Sequence, residues 1–270
     1  MITSMPAISP IRIHAMILRY LYLLRGSWPR ILELAYWPTV QMILWGFITR
    51  FFTGHSEWVA QAAGILIAAV LLWDVLFRAQ LGVTLPFYEE MYSRNLGHLF
   101  VSPLRPWELV ISLLGISLVR TLIGVITAAL LAIPLYHYSI FDMGLPLLAF
   151  FTQLLVMGWA LGLMISALVL RLGMGAESLA WVGVFALAPL SGIYYPVDTL
   201  PGWLQPAALA LPSAHVFEGM RAVLIRGVFD TGHFLAALAL NALYIGSGVV
   251  LFLWSFQSAR RRGALLQMGE

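Results

Sequence analysis

Asp74 and Arg78 stand four residues apart in an otherwise apolar stretch. On a helix that spacing puts them on one face, with the acid N-terminal to the base, the favourable order for an ion pair. Arg120 lies near the middle of a later apolar run, Gln153 in the next, and Glu33 and Gln41 in the first. Ionisable groups inside a membrane are costly to bury and read as functional candidates. Two roles fit Asp74, Arg78, Arg120 and Gln153. They line or gate a polar translocation path, or they form a structural ion network, with Arg78 reaching towards the membrane edge.

Other chemistry is excluded. Every basic residue is Arg. A phosphate-binding loop needs Lys to reach the nucleotide phosphates, and so does a protein kinase. The chain therefore carries no standard ATP-hydrolysing machine. It has no Cys for a thiolate site or nucleophile. No H-E-x-x-H, no G-x-S-x-G and no paired carboxylates within one apolar run occur. The six histidines (His14, His55, His98, His137, His215, His233) are scattered. No metal or cofactor is expected on this chain.

These residues sit in a chain of 270 residues that is 61% hydrophobic, 10% charged, and has a mean hydropathy of +0.90. Soluble domains carry about 25% charged residues, so lipid must be the solvent for much of the surface. The net charge of +3 is small and does not suggest nucleic-acid binding. Arg12, Arg19 and Arg25 interrupt the first apolar stretch, so no cleavable leader is expected. One membrane domain is expected over residues 1–270.

A spanning helix needs roughly 20 apolar residues. Six runs qualify: Ile31–Phe52, Trp58–Phe77 continuing towards Leu85, Trp107–Leu135, Gly144–Leu170, Ser178–Tyr195 and Phe234–Phe256. Continuous rather than alternating runs favour helices over a β-barrel, so the fold class is an all-α membrane bundle. Six spans put both termini on one side. With the termini inside, Arg12, Arg19, Arg25, Arg30, Arg94, Arg105, Arg171 and Arg260 to Arg262 are cytoplasmic, and Arg50, Arg221 and Arg226 are outside. That bias sets the orientation. Residues 1–30 form a cytoplasmic interfacial piece, 31–256 the bundle and 257–270 a tail. Trp37, Trp45, Trp58, Trp73, Trp107, Trp203 and Trp254 mostly fit interface belts.

Three pieces do not span. Ile11–Trp28 is amphipathic, with Ile13, Ile17, Tyr20, Leu21 and Leu24 on one face and Arg12 and Arg19 away from it. It anchors to the membrane or contacts a partner. Phe87–Phe100 reads as a bounded helix between Pro86 and Pro103. Tyr88, Tyr92, Leu96, Leu99 and Phe100 form its apolar face, and Glu90, Ser93, Arg94 and His98 its polar face, with Glu89 at the margin. Mixed charge there suits a protein partner. Pro196–Gly232 holds Pro201, Pro206 and Pro212 among apolar residues too few to span. A re-entrant hairpin fits, and so does a short interfacial helix pair. Gly158 and Gly162, with Ser166, allow close helix packing, within the chain or at a dimer seam.

The order of these pieces resembles the type 2 ABC exporter permease family over nearly the whole chain. The stretch Arg94-Asn-Leu-Gly-His-Leu-Phe-Val-Ser-Pro-Leu-Arg-Pro-Trp-Glu108 is similar to that family's loop before the third span. Ser191-Gly-Ile-Tyr-Tyr-Pro196, Leu200-Pro-Gly-Trp-Leu204 and Leu211-Pro-Ser-Ala-His215 through Glu218 and Arg221 are similar to its outside hairpin. The resemblance implies a half-transporter in a bacterial inner membrane. Two permease chains would pair, a homodimer being favoured, over two ATPase subunits that hold the ATP and Mg. Phe87–Phe100 would be the coupling helix, with Glu89, Glu90, Arg94, Asn95 and His98, helped by the Arg171–Glu177 turn. Pro201, Trp203, Pro212, Glu218 and Arg221 would belong to the external hairpin. Exported polysaccharides, lipo-oligosaccharides, or hydrophobic drugs and antibiotics are the implied cargo, an amphipathic, lipid-linked or saccharide substrate. An ion-gradient carrier using Asp74, Arg78 and Arg120, or a non-transporting scaffold, are the alternatives.

Overall fold

The computed structural model describes residues 9–53 and 57–263. His55 and the last seven residues of the tail lie outside them, as do the side chains of Arg50, Trp58 and Phe100. The chain forms α1 (Pro10–Arg25), α2 (Trp28–Thr53), α3 (Glu57–Tyr92), α4 (Leu96–Val101), α5 (Pro106–Tyr136), α6 (Leu145–Leu172), α7 (Leu179–Leu187), α8 (Gln205–Leu209), α9 (Pro212–Arg226) and α10 (Thr231–Arg261). No strand occurs among the described residues. Helix boundaries follow local chemistry. Proline opens α1, α5 and α9 at positions that need no N–H. Gly173 ends α6 with φ 82° and Gly227 ends α9 with φ 66°.

Five helices are long and apolar enough to cross a membrane: α2, α3, α5, α6 and α10. The expected fifth span, Ser178–Tyr195, is helical only over α7. Nine residues rise about 14 Å, half of a hydrocarbon core. Pro189 removes an N–H from the ladder, and Gly192 turns the chain with φ 60°. Parity nevertheless survives. Contacts of α3 with α6 and of α6 with α10 run in register from one end to the other, so these three helices are parallel, and α2, α5 and α7 run against them. The turn after α7 reaches Trp45 in the far half of α2, where Tyr194 stacks on it at 4.5 Å. Both described chain ends therefore lie at the same end of the bundle, beside α1. The hairpin α8–α9 sits at the other end, packed on α6 and α10.

The core divides by depth. Near the hairpin, Leu72, Leu76, Phe150, Leu154, Phe217 and Met220 are buried together. Near α1, Tyr20, Phe87, Met91, Leu109, Phe252 and Phe256 form a second cluster. Outward faces are as apolar as the core, with Phe47, Phe185, Leu243 and Val250 exposed. That suits lipid, which makes no demand for a polar surface. The Gly158–Gly162 face packs within the chain. A Cβ at Gly158 would lie 2.6 Å from the Leu76 carbonyl oxygen, and one at Gly162 would lie 2.8 Å from Val83 Cβ. This is the α3–α6 seam.

Candidate coupling face

The expected single helix Phe87–Phe100 is in fact two pieces. α3 continues through Pro86 to Tyr92, and α4 starts at Leu96. The break is at Arg94, which takes the left-handed φ of 52°. Its N–H donates to the Met91 carbonyl at 3.0 Å, and the Asn95 N–H donates to the Glu90 carbonyl at 3.0 Å. These two bonds close the end of α3 as a Schellman turn usually closed by glycine. The expected faces shift with the break. Tyr88 and Leu96 are buried as expected, but Glu90 is buried too, and Tyr92 is exposed.

Glu90 is buried because α1 reaches it. Arg19 pairs with both its carboxylate oxygens, and Asn95 Nδ2 donates to Oε2 at 2.7 Å. Arg12 performs the same task at α5. Its Nε and Nη2 donate to Glu108 at 2.8 and 2.6 Å. The Ser9 and Arg105 backbone N–H groups add bonds of 3.1 and 3.0 Å to the same carboxylate. Arg12 and Arg19, expected to face away, thus turn inward. Arg30, in the first turn of α2, pairs with Glu89 at 3.3 Å. Three arginines therefore tie α1 and the start of α2 to the ends of α3 and α5.

The turn between α6 and α7 joins this lattice. The Tyr92 hydroxyl donates to Glu177. Arg171 stacks its guanidinium 3.9 Å above the Trp254 ring of α10. Beyond the tied residues projects a tip. Arg94 and His98 are exposed, and Val101 is 88% exposed. Of the residues expected to couple, Arg94 and His98 stand on this tip, Glu89, Glu90 and Asn95 belong to the lattice behind it, and Arg171 and Glu177 flank it. The partners Arg12, Arg19 and Glu108 carried no spacing signal, because they meet across 71 to 96 residues of chain.

Residues expected along a path separate into three places. Asp74 and Arg78 pair at 2.5 Å inside the bundle, with the Arg78 side chain against Gly124 of α5. Gln153 accepts from Asn241 Nδ2 at 2.6 Å and so clamps α6 to α10. Arg120 is with neither. It faces Arg30, Glu89 and Tyr20 at the α1 end. In the hairpin, Pro212 is the buried first residue of α9, and Pro201 and Trp203 lie in the exposed loop before α8. Glu218 and Arg221 pin the preceding turn. Glu218 accepts from the Val197 N–H at 2.7 Å, and Arg221 donates to the Gly192 carbonyl at 2.7 Å and to Glu218.

The profile of the family described as ABC-2 type transporter matches residues 20–225, more than half of the chain. The chain belongs to the ABC-2 type transporter family. It is the membrane permease of an ABC transporter, a multi-pass membrane protein whose family works with an ABC ATPase. No curated protein matches it. The family match runs from Tyr20 to Ile225 and takes in Glu90, Glu108, the Arg94–Val101 segment and the hairpin, while Arg12 and Arg19 precede it and α10 follows it.

The permease also brings two scattered histidines together. Nδ1 of His215 on α9 lies 3.0 Å from Nδ1 of His233 on α10, and His215 Nε2 bonds the Leu209 carbonyl at 2.9 Å. No group of three metal-binding side chains occurs among the described residues. Burial holds the His215 pKa below its ordinary 6.5, with Leu209 and Glu218 opposing. Folding thus favours neutral His215. The stabilisation is complete above about pH 6.5, the unfolded value, and is lost as pH falls through the depressed folded value. Glu218, Asp230 and Arg226 are the other charges around the pair. Thermal unfolding of purified protein should start lower at pH 5 than at pH 7.5, and His215→Gln should shrink that difference. An unchanged difference in the variant sinks the assignment.

Proposed function

We propose that this permease is half of an exporter. It pairs with a second copy of itself above two separate ATPase subunits that hold ATP and Mg. It sits in a bacterial inner membrane with both termini cytoplasmic, and it moves an amphipathic, lipid-linked or saccharide cargo outward. One observation carries the coupling role: a tip bearing exposed Arg94, His98 and Val101 projects from an end of the bundle that ion pairs make stiff. A stroke of the ATPase on the tip would pass through Glu90 and Asn95 into α3 and α1, and through Tyr92 and Glu177 into the α6–α7 turn. α7 leads directly into the hairpin turn, so the motion has a continuous route to the far end. Asp74, Arg78 and Gln153 keep the middle of the bundle rigid in this reading, and the cargo path runs between the two copies. The excess of arginine at the α1 end supports the orientation.

The first test is purification of the tagged permease from its own cell in a gentle detergent, with mass spectrometry of its companions. About one ATPase subunit per permease chain supports the reading. Transport retained with every ATPase deleted overturns it and favours the ion-gradient carrier. Within the complex, Arg94→Glu with His98→Glu should release most of the ATPase and leave the permease's own unfolding temperature within about 1 °C, since exposed substitutions move stability by about 0.5 kcal/mol or less. A double variant that still binds and couples places the contact elsewhere.

A further inference from the structure

A narrow crevice opens between α1, α2, α3 and α5 at the α1 end of the bundle. Tyr20, Arg30, Pro86, Glu89, Ile116 and Arg120 line it. Two of its donors lack acceptors. Tyr20 is 4% exposed, and its hydroxyl makes no hydrogen bond, although the Glu90 carboxylate is near. Burial first, and Glu90 second, push its ionisation far above the ordinary range, so the hydroxyl keeps its proton to donate. Arg120 makes no hydrogen bond or ion pair among the described residues. A guanidinium remains charged and offers five donors, which match phosphate oxygens. Arg120 is half-buried, and its nitrogens open towards the crevice mouth rather than being sealed inside the bundle. Both donors converge on the same small space.

The rim supplies acceptors. Arg30 and Glu89 pair there at 3.3 Å, both partly exposed, and Glu33 also acts on Arg120. The local charge is balanced, with Arg30, Arg78 and Arg120 against Glu33, Glu89 and Asp74, the partner of Arg78. A net anion gains from Arg120 and loses to the glutamates, whereas a zwitterion matches both. Depth agrees. Trp28, 73% exposed, stands at the start of α2 just beyond the crevice, as interface tryptophans do. The enclosed space is about 10 Å³, room for about one water-sized group. A phosphate oxygen fits inside, and the remainder of a headgroup lies across the mouth.

We propose that this crevice binds the headgroup of one ethanolamine phospholipid from the adjoining leaflet, its phosphate on Arg120 and Tyr20 and its ammonium on Glu89. The site belongs to the permease chain alone and does not depend on the exporter reading. A choline headgroup keeps the charge but has no N–H for Glu89. A glycerol headgroup keeps the phosphate but brings no cation.

Native mass spectrometry of the full-length protein, stripped of lipid and given phosphatidylethanolamine, phosphatidylglycerol or phosphatidylcholine with identical acyl chains, tests this. Phosphatidylethanolamine should be retained as a single copy, about tenfold more tightly than the others, the effect of about 1.4 kcal/mol. Tyr20→Phe should weaken retention severalfold. The one protein group beside its hydroxyl is the Glu90 carboxylate, which Arg19 and Asn95 already hold, so its removal leaves the fold intact. Arg120→Gln should weaken retention at least as much, and Glu89→Gln should erase the preference over choline. Equal retention of the three lipids overturns the proposal, as does unchanged retention in Tyr20→Phe, which would leave a water on the hydroxyl. Soluble phosphoethanolamine competing at the same concentration as the lipid would make this a small-anion site and overturn the lipid assignment.

Discussion

Gly158→Val should leave little folded permease in the membrane. The seam between α3 and α6 places the backbones almost in contact there. A Cβ at this position would sit 2.6 Å from the Leu76 carbonyl oxygen, 2.6 Å from Ala79 Cβ and 3.1 Å from the Gln80 nitrogen. Two of these three atoms are backbone and cannot swing aside. Even alanine should cost at the upper end of the roughly 1–3 kcal/mol typical of overpacking, and valine adds two methyl groups to the same collision. Ser166, one turn beyond Gly162, is buried on the same helix, so the helices cannot slide to make room cheaply. Gly246 is the control. Nothing lies within 4 Å of its added Cβ, so Gly246→Ala should be neutral or gain up to about 1 kcal/mol of helix propensity. Retention of monodisperse protein after heating, read by size-exclusion chromatography, compares the variants. Equal survival of Gly158→Val and Gly246→Ala would show that the seam is not where the structure puts it.

The contrast explains what the sequence could and could not disclose. Apolar runs located α2, α3, α5, α6 and α10 because length and hydropathy are the membrane's own requirement. Small residues at Gly158 and Gly162 marked a seam, but not its partner, because lipid and core are equally apolar and periodicity does not separate them. The same ambiguity hid the stop after α7, where Pro189 and Gly192 lie inside a run that is apolar enough to span. Pro86 suggested a helix start and is instead carried within α3. The helix breaks at Arg94, a residue without turn preference, because Asn95 and Glu90 bond across the break. The split of Asp74, Arg78, Gln153 and Arg120 into three places follows from helix rotation, which one-dimensional spacing cannot fix between helices. Hairpin residues were more legible. Glu218 and Arg221 keep local partners, three to some thirty residues away, and the closure of a short loop is cheap.

Arg12→Ala should be the most damaging change in α1, and the damage should come from the residue left behind. Glu108 is fully buried, while Arg12 is 27% exposed. Without the guanidinium the carboxylate keeps only the two backbone donors, Ser9 and Arg105. Removing one partner of a buried pair costs about 3–5 kcal/mol. The lower end applies here, since water reaches the Arg12 side and screens it. Replacing both residues, Arg12→Met with Glu108→Gln, should recover most of the loss, because the amide still accepts a backbone N–H and no charge stays buried. Unfolding temperature in detergent reads the stability cycle, with the two single variants clearly below the double. The double variant then isolates mechanism. It restores the fold but lacks the charge tie between α1 and α5, while Arg19–Glu90 still ties α1 to α3. If the stroke of a partner ATPase passes through the lattice as a rigid unit, transport per ATP hydrolysed should fall in the double variant even though its stability and ATPase binding are restored. Normal coupling with this tie removed would show that the link between α1 and α5 carries none of the stroke, and would leave Arg19–Glu90 and the route from Tyr92 through Glu177 to α7 to transmit it.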